Sequence, residues 1–130
     1  MFKWFFSLLI AFFSMNYVYG EESNKTISSV ADIGYLYKIV SVEDWEESQG
    51  KEAVKLSFKD QDFIHLAKEN QLPYVIAKFW SDRPYVVLRL DPQRLPGKLV
   101  SEGSEGSSIR WYHLYDGSVP MHAVVEVIPK

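Results

Sequence analysis

The chain holds three histidines, and two of them stand where an imidazole could do chemistry. His65 interrupts the apolar run DFIHLA. In an extended segment Phe63, His65 and Ala67 point one way while Ile64 and Leu66 point the other, so packing of the second set would aim His65 at a cleft. His113 lies among the aromatics of IRWYHLYDG, between Tyr112 and Tyr115, where it could supply a second donor to a phosphate or a stacking wall for a base. Imidazole, with an ordinary pKa of about 6.5, suits proton transfer near neutrality. The structural alternatives are a packed histidine at position 65 and an aromatic cluster closing the core edge around position 113. His122, in a turn after Pro120 and Met121, reads as surface, and Arg83 and Arg110 read as solvated loop charges.

Other chemistries lack their residues. His65 is followed by Leu-Ala-Lys-Glu, without the second histidine of a helical zinc motif. The glycines are badly spaced for a phosphate-cradling loop, and Gly103 to Gly106 lies in a polar stretch rather than at a strand-to-helix nucleophile elbow. The chain has no cysteine, so disulfides, thiolate metal sites, thiol nucleophiles and a lipid-bearing cysteine are excluded. No metal site is expected.

The elements that must position the histidines follow from periodicity and capping. YLYKIV over 35–40 is β-branched and aromatic and reads as a strand. Ser41, with Asp44 three residues on, opens a short helix that closes at Gly50, with Val42 and Trp45 facing inward. DFIHLA is a short buried strand. Leu72, Val75, Ile76 and Phe79 share a helical face, and Pro73 fits only the first turn, so a helix runs over about 72–80, with Trp80 as core. YVVLRLDP over 85–92 is the clearest strand and is expected at the centre of its sheet. SEGSEGSS over 101–108 suits a surface loop, a turn follows at Asp116-Gly117, and AVVEVI over 123–128 ends the chain as a strand. Strands with two short helices between them predict a single small α+β domain with mixed or mainly antiparallel, split β-sheets.

Length allows one core: 130 residues, 47% hydrophobic and 15% aromatic, form one compact domain. The first twenty residues are a secretory signal by pattern, with Lys3 ahead of the run WFFSLLIAFFSM and cleavage expected after Gly20. The apolar run is shorter than the roughly 20 residues of a membrane span, so export without a retained anchor, to the periplasm or beyond, is expected. Residues 21–33 form a polar lead-in and 34–130 the domain. Losing 1–20 removes one lysine and no acid from 14 basic and 17 acidic side chains, and the mildly acidic balance gives no electrostatic reason to expect nucleic acid as a partner. Oligomeric state is not legible.

LYKI, DFIHLA, the Pro73 helix, YVVLRLDP with Leu95, and HLYDGSVPMHAVVEV together resemble the domain-of-unknown-function 952 family over about 34–129. More distantly, IHLA through the helix to RPYVVLRLD is similar to RNA 2'-phosphotransferases, with Ala67 where their pattern has serine. That similarity implies an ADP-ribosyltransferase-like fold whose cleft holds NAD or ADP-ribose. It places His65 in the cleft, with Tyr37 and Lys38 at first-strand positions that hold ligand, Lys38 standing where a histidine is usual. His113 as a second catalytic group and Tyr115 as a ligand contact complete the candidate site. Glu126 is a weaker candidate for the acid that steadies a ribosyl cation. No cofactor is fixed by the residues; NAD is the one the resemblance implies, and a nucleotide or other small phosphorylated molecule is the expected partner. Three readings fit: an exported nucleotide-binding transferase, a ligand-binding module without chemistry, and, more weakly, a His/His/Lys phosphodiesterase in which one histidine takes a proton and another donates one.

Overall fold

The computed structural model describes residues 32–129. The expected signal peptide and all of the lead-in except Asp32 and Ile33 fall outside the described residues. Ile33 already packs against the core, so the folded domain begins one residue before the boundary read from composition. Among the described residues no helix is long and apolar enough to cross a membrane.

The domain is α+β; among the described residues it has two complete α-helices and two three-stranded antiparallel sheets. The first sheet orders β1 (Leu36–Ser41), β3 (Tyr85–Leu90) and β6 (Val124–Pro129), with β3 central as its apolar run predicts. The second orders β2 (Ile64–Leu66), β5 (Trp111–Tyr115) and β4 (Lys98–Glu102). A bridge joins the two: Tyr37 and Ala67 exchange backbone hydrogen bonds of 2.8 and 3.0 Å.

Alternation decides which side of each strand is buried. Leu36, Val40, Val86, Leu88 and Leu90 of the first sheet meet Ile64, Leu66 and Leu114 of the second in the main core. Helix α1 (Val42–Ser48) adds Val42 and Trp45 to its edge; its start is fixed by the Ser41 hydroxyl, which accepts the Asp44 N–H at 3.0 Å. The other face of the first sheet presents Tyr37, Ile39, Tyr85 and Val87 to helix α2 (Leu72–Phe79), which packs Leu72, Val75 and Ile76 on them, with Trp80 just past its end.

The polar stretch 101–108 divides differently from its composition. Ser101 and Glu102 belong to β4, because the ladder runs on through Ser101 to Tyr112 and Glu102 to Trp111, and the connection to β5 runs over 103–110. At the other end of β4 the backbone comes very close to β5. Gly97, at φ 110°, has room for no side chain, since a Cβ would lie 2.5 Å from the Tyr115 carbonyl oxygen.

Candidate functional site

His65 occupies the middle of the edge strand β2. Ile64 and Leu66 are buried in the core, so the His65 ring stands on the outer face of the sheet, 53% exposed. Both backbone groups of His65 turn away from β5: its N–H donates to Asp60 Oδ1 at 3.0 Å, and its carbonyl accepts from Lys38 Nζ at 3.0 Å. Its cross-strand partner is His113. The two therefore form a non-hydrogen-bonded pair of the antiparallel ladder, the kind whose side chains stand closest. Their ring centroids are 5.4 Å apart with planes at 73°.

Each ring is held by its own carboxylate. His65 Nδ1 lies 3.0 Å from Asp60 Oδ1, and His113 Nδ1 lies 2.9 Å from Glu102 Oε1. Burial pushes the Asp60 carboxyl up, but the Lys38 ammonium and hydrogen bonds from His65 and Lys38 outweigh it, so its pKa lies below the ordinary carboxylate value. The Glu102 carboxyl is lowered too, first by the Tyr115 hydroxyl and then by His113. Ionised carboxylates only accept hydrogen bonds, so each imidazole donates from Nδ1 and presents Nε2 to the outer face. Neither Nε2 has a hydrogen-bond partner among the described residues.

Two further groups brace the pair. Phe63 packs against both rings, its centroid 4.2 Å from that of His113 and 4.8 Å from that of His65. Tyr115, two residues after His113 on the same face, donates its hydroxyl to Glu102 Oε1 at 2.5 Å, a bond that raises the phenol pKa.

Of the residues singled out from sequence, His65, His113 and Tyr115 come together on this face. Lys38 lies beneath it: on the core side of β1 its ammonium bonds Asp60 at 2.9 Å and the His65 carbonyl. With its side chain 9% exposed, it braces His65 rather than lining the surface a ligand would meet. Burial lowers its pKa and Asp60 restores part of the loss. Tyr37 is elsewhere, on the opposite face of β1, donating to Glu69 at 3.0 Å and accepting from Arg89 at 3.2 Å. Glu126 pairs with Arg89 at 2.8 Å in the first sheet, while His122 is exposed in its turn.

Asp60, Glu102 and Phe63 are site residues that sequence reasoning missed. Phe63 was legible, because it shares the parity of His65. Asp60 belongs to a single 3₁₀ turn, Phe58–Asp60, with no periodic signal, and Glu102 hides in a stretch whose composition suggests loop. Among the described residues no cluster of three or more metal-ligating side chains occurs.

Comparison with known proteins agrees with this architecture. The model of a family described as "Protein of unknown function (DUF952)" matches residues 39–127. The chain is similar in structure to protein CC0527 from Caulobacter crescentus, with a TM-score of 0.63 and 25% identity over 74% of this chain and 93% of that one. A double mutant of the same protein gives the same TM-score at 24% identity. No curated protein matches the chain.

Proposed function

We propose that this chain, which belongs to the DUF952 family, cleaves a phosphate ester linkage in a nucleotide by acid–base chemistry shared between His65 and His113. The observation that carries this is the pairing itself: two adjacent imidazoles, each fixed at Nδ1 by a carboxylate, each offering Nε2 to one open face. One Nε2, neutral, takes the proton from an attacking hydroxyl or water as the new O–P bond forms. The other, protonated, gives its proton to the leaving oxygen as the old P–O bond breaks. Before reaction the protonated Nε2 donates to the phosphate, and the neutral Nε2 accepts from the attacking hydroxyl or water.

The split β-structure, bridged at Tyr37 and Ala67, supports an ADP-ribosyltransferase-like kinship and with it a ligand of the NAD or ADP-ribose type. Within that class the geometry favours phosphorus over ribose as the centre attacked. Nicotinamide leaves a ribose without needing a proton on oxygen, and the carboxylates at the pair are committed to the imidazoles, whereas an alkoxide leaving group uses the acid that a second histidine supplies. Export is proposed with it, from the apolar leader over 1–20. A second reading, ligand binding without turnover, keeps the same contacts and is supported by the exposure of His65.

The test is phosphorus NMR of the full chain with NAD, ADP-ribose and an RNA dinucleotide, together with histidine ring spectra. New phosphorus resonances that form at least about 100-fold more slowly in His65→Ala and His113→Ala are expected. Nicotinamide release with the pyrophosphate intact would move the attack to the ribose. Saturable shifts of both rings without turnover would favour the binding module. Rings indifferent to every ligand, with no product, would sink the proposal.

A further inference from the structure

We infer that the outer face of the second sheet carries a base subsite beside the histidine pair, in which Trp111 and Tyr74 stack the flat ring of a nucleobase. This rests on the proposed role of the pair as a phosphate site, and it names the part of the ligand beyond the phosphate.

Trp111 is two residues before His113 in β5 and has the same parity, so it stands on the same outer face. Their Cα atoms are roughly 7 Å apart, a spacing comparable to the reach of one ribose between a phosphate and its base. Trp45 and Trp80 pack against the two core clusters, but Trp111 belongs to neither; the core side of β5 is filled instead by Tyr112 and Leu114. Its contact is with Tyr74 of α2, centroid to centroid 6.0 Å and tilted by 36°.

Tyr74 is more than half exposed and Trp111 is partly exposed, so the pair of rings forms a shelf open to solvent on its Tyr74 side. Lys78, one helical turn on, donates to the Tyr74 hydroxyl at 3.2 Å and sits 5.5 Å from its ring centroid. A cation beside open aromatic faces is the chemistry that receives nucleotides. Glu102, the cross-strand neighbour of Trp111, directs its carboxylate to His113 and Tyr115 instead of repelling an anionic ligand at the shelf.

AMP and inorganic pyrophosphate, added separately to the full chain, distinguish the subsite from the pair. Tryptophan fluorescence and the His65 and His113 ring resonances report binding. Trp111→Ala and Tyr74→Ala are each expected to weaken AMP about tenfold while leaving pyrophosphate affinity within about twofold. Equal weakening of both probes would make Trp111 a mere support for the strand and overturn the subsite, as would AMP affinity unchanged in both variants or no AMP binding by the wild type. AMP binding that depends on Trp111, with pyrophosphate shifting neither histidine, would keep the shelf and remove the pair as a phosphate site. Should Trp111→Ala fail to fold, Tyr74→Ala carries the test from the exposed side of the shelf.

Discussion

The two carboxylate–histidine pairs are built in opposite senses. In one the acid is buried and the base exposed: Asp60 is 5% exposed and His65 53%. In the other, His113 is 17% exposed and Glu102 39%. A buried carboxylate demands a countercharge, and Lys38, itself buried, supplies it at 2.9 Å. Glu102 keeps contact with water and needs only the hydroxyl of Tyr115 and the ring of His113. The first pair is thus wired into the core through β1, and the second is assembled within its own sheet. Ring orientation can therefore be achieved by charge balance in the interior or by hydrogen bonding at the surface, and the two should respond differently to the same kind of damage.

Lys38→Met should do the most harm. It keeps the buried stem but strands the Asp60 carboxylate, and the expected loss is on the order of 3–5 kcal/mol of unfolding free energy, read by urea denaturation. Adding Asp60→Asn to that variant should return part of the loss, since the stranded charge is gone; a strictly additive double variant would show that the two side chains do not act as a pair.

Orientation comes next. Asp60→Asn should change the tautomer balance of His65 in nitrogen-15 spectra while leaving that of His113 in place, and Glu102→Gln should do the converse. Cross-talk of equal size would mean that the pairs are one unit and that the contrast between them is false.

Acid sensitivity separates them further. Both carboxyls have folded pKa values below the ordinary carboxylate range. The folded state therefore binds fewer protons there, and the stability they contribute is present above that range and lost as pH falls through the folded values. Unfolding measured from neutral pH downward should show an acid limb that flattens markedly in Asp60→Asn and slightly in Glu102→Gln, whose charge is screened by solvent. Equal flattening would contradict the difference in burial.

The smallest effect is expected from Tyr115→Phe. It removes one hydrogen bond to an exposed acid and raises the Glu102 carboxyl back toward its ordinary value, as carbon-13 titration of that carboxyl would show. Stability should barely move. A large loss would mean that Tyr115 belongs to the core after all.

Where packing follows a local period, the chain was readable. Ser41 with Asp44, the 72–79 face behind Pro73, and the continuous apolar run of β3 each specify an element through near neighbours alone. The parity of Ile64, His65 and Leu66 likewise settles which side of β2 is buried. The site was only half readable for the same reason. Lys38 could be noticed as an unusual residue in an apolar strand, but the acid that makes its burial tolerable is 22 residues away in a short turn. Glu102 becomes a site residue only because the β4–β5 ladder runs past the point where its composition suggests a loop.

From sequence alone came the two histidines as candidates, the side of β2 on which His65 stands, and an α+β domain of split sheets, because alternation and capping act over a few residues. Tertiary structure decided that His65 lies opposite His113, that Asp60 and Glu102 are the acids which hold them, and that Lys38 works from beneath while Tyr37 faces away. Those outcomes depend on strand order, register and burial, which bring together groups far apart in the chain and leave no local period to mark them.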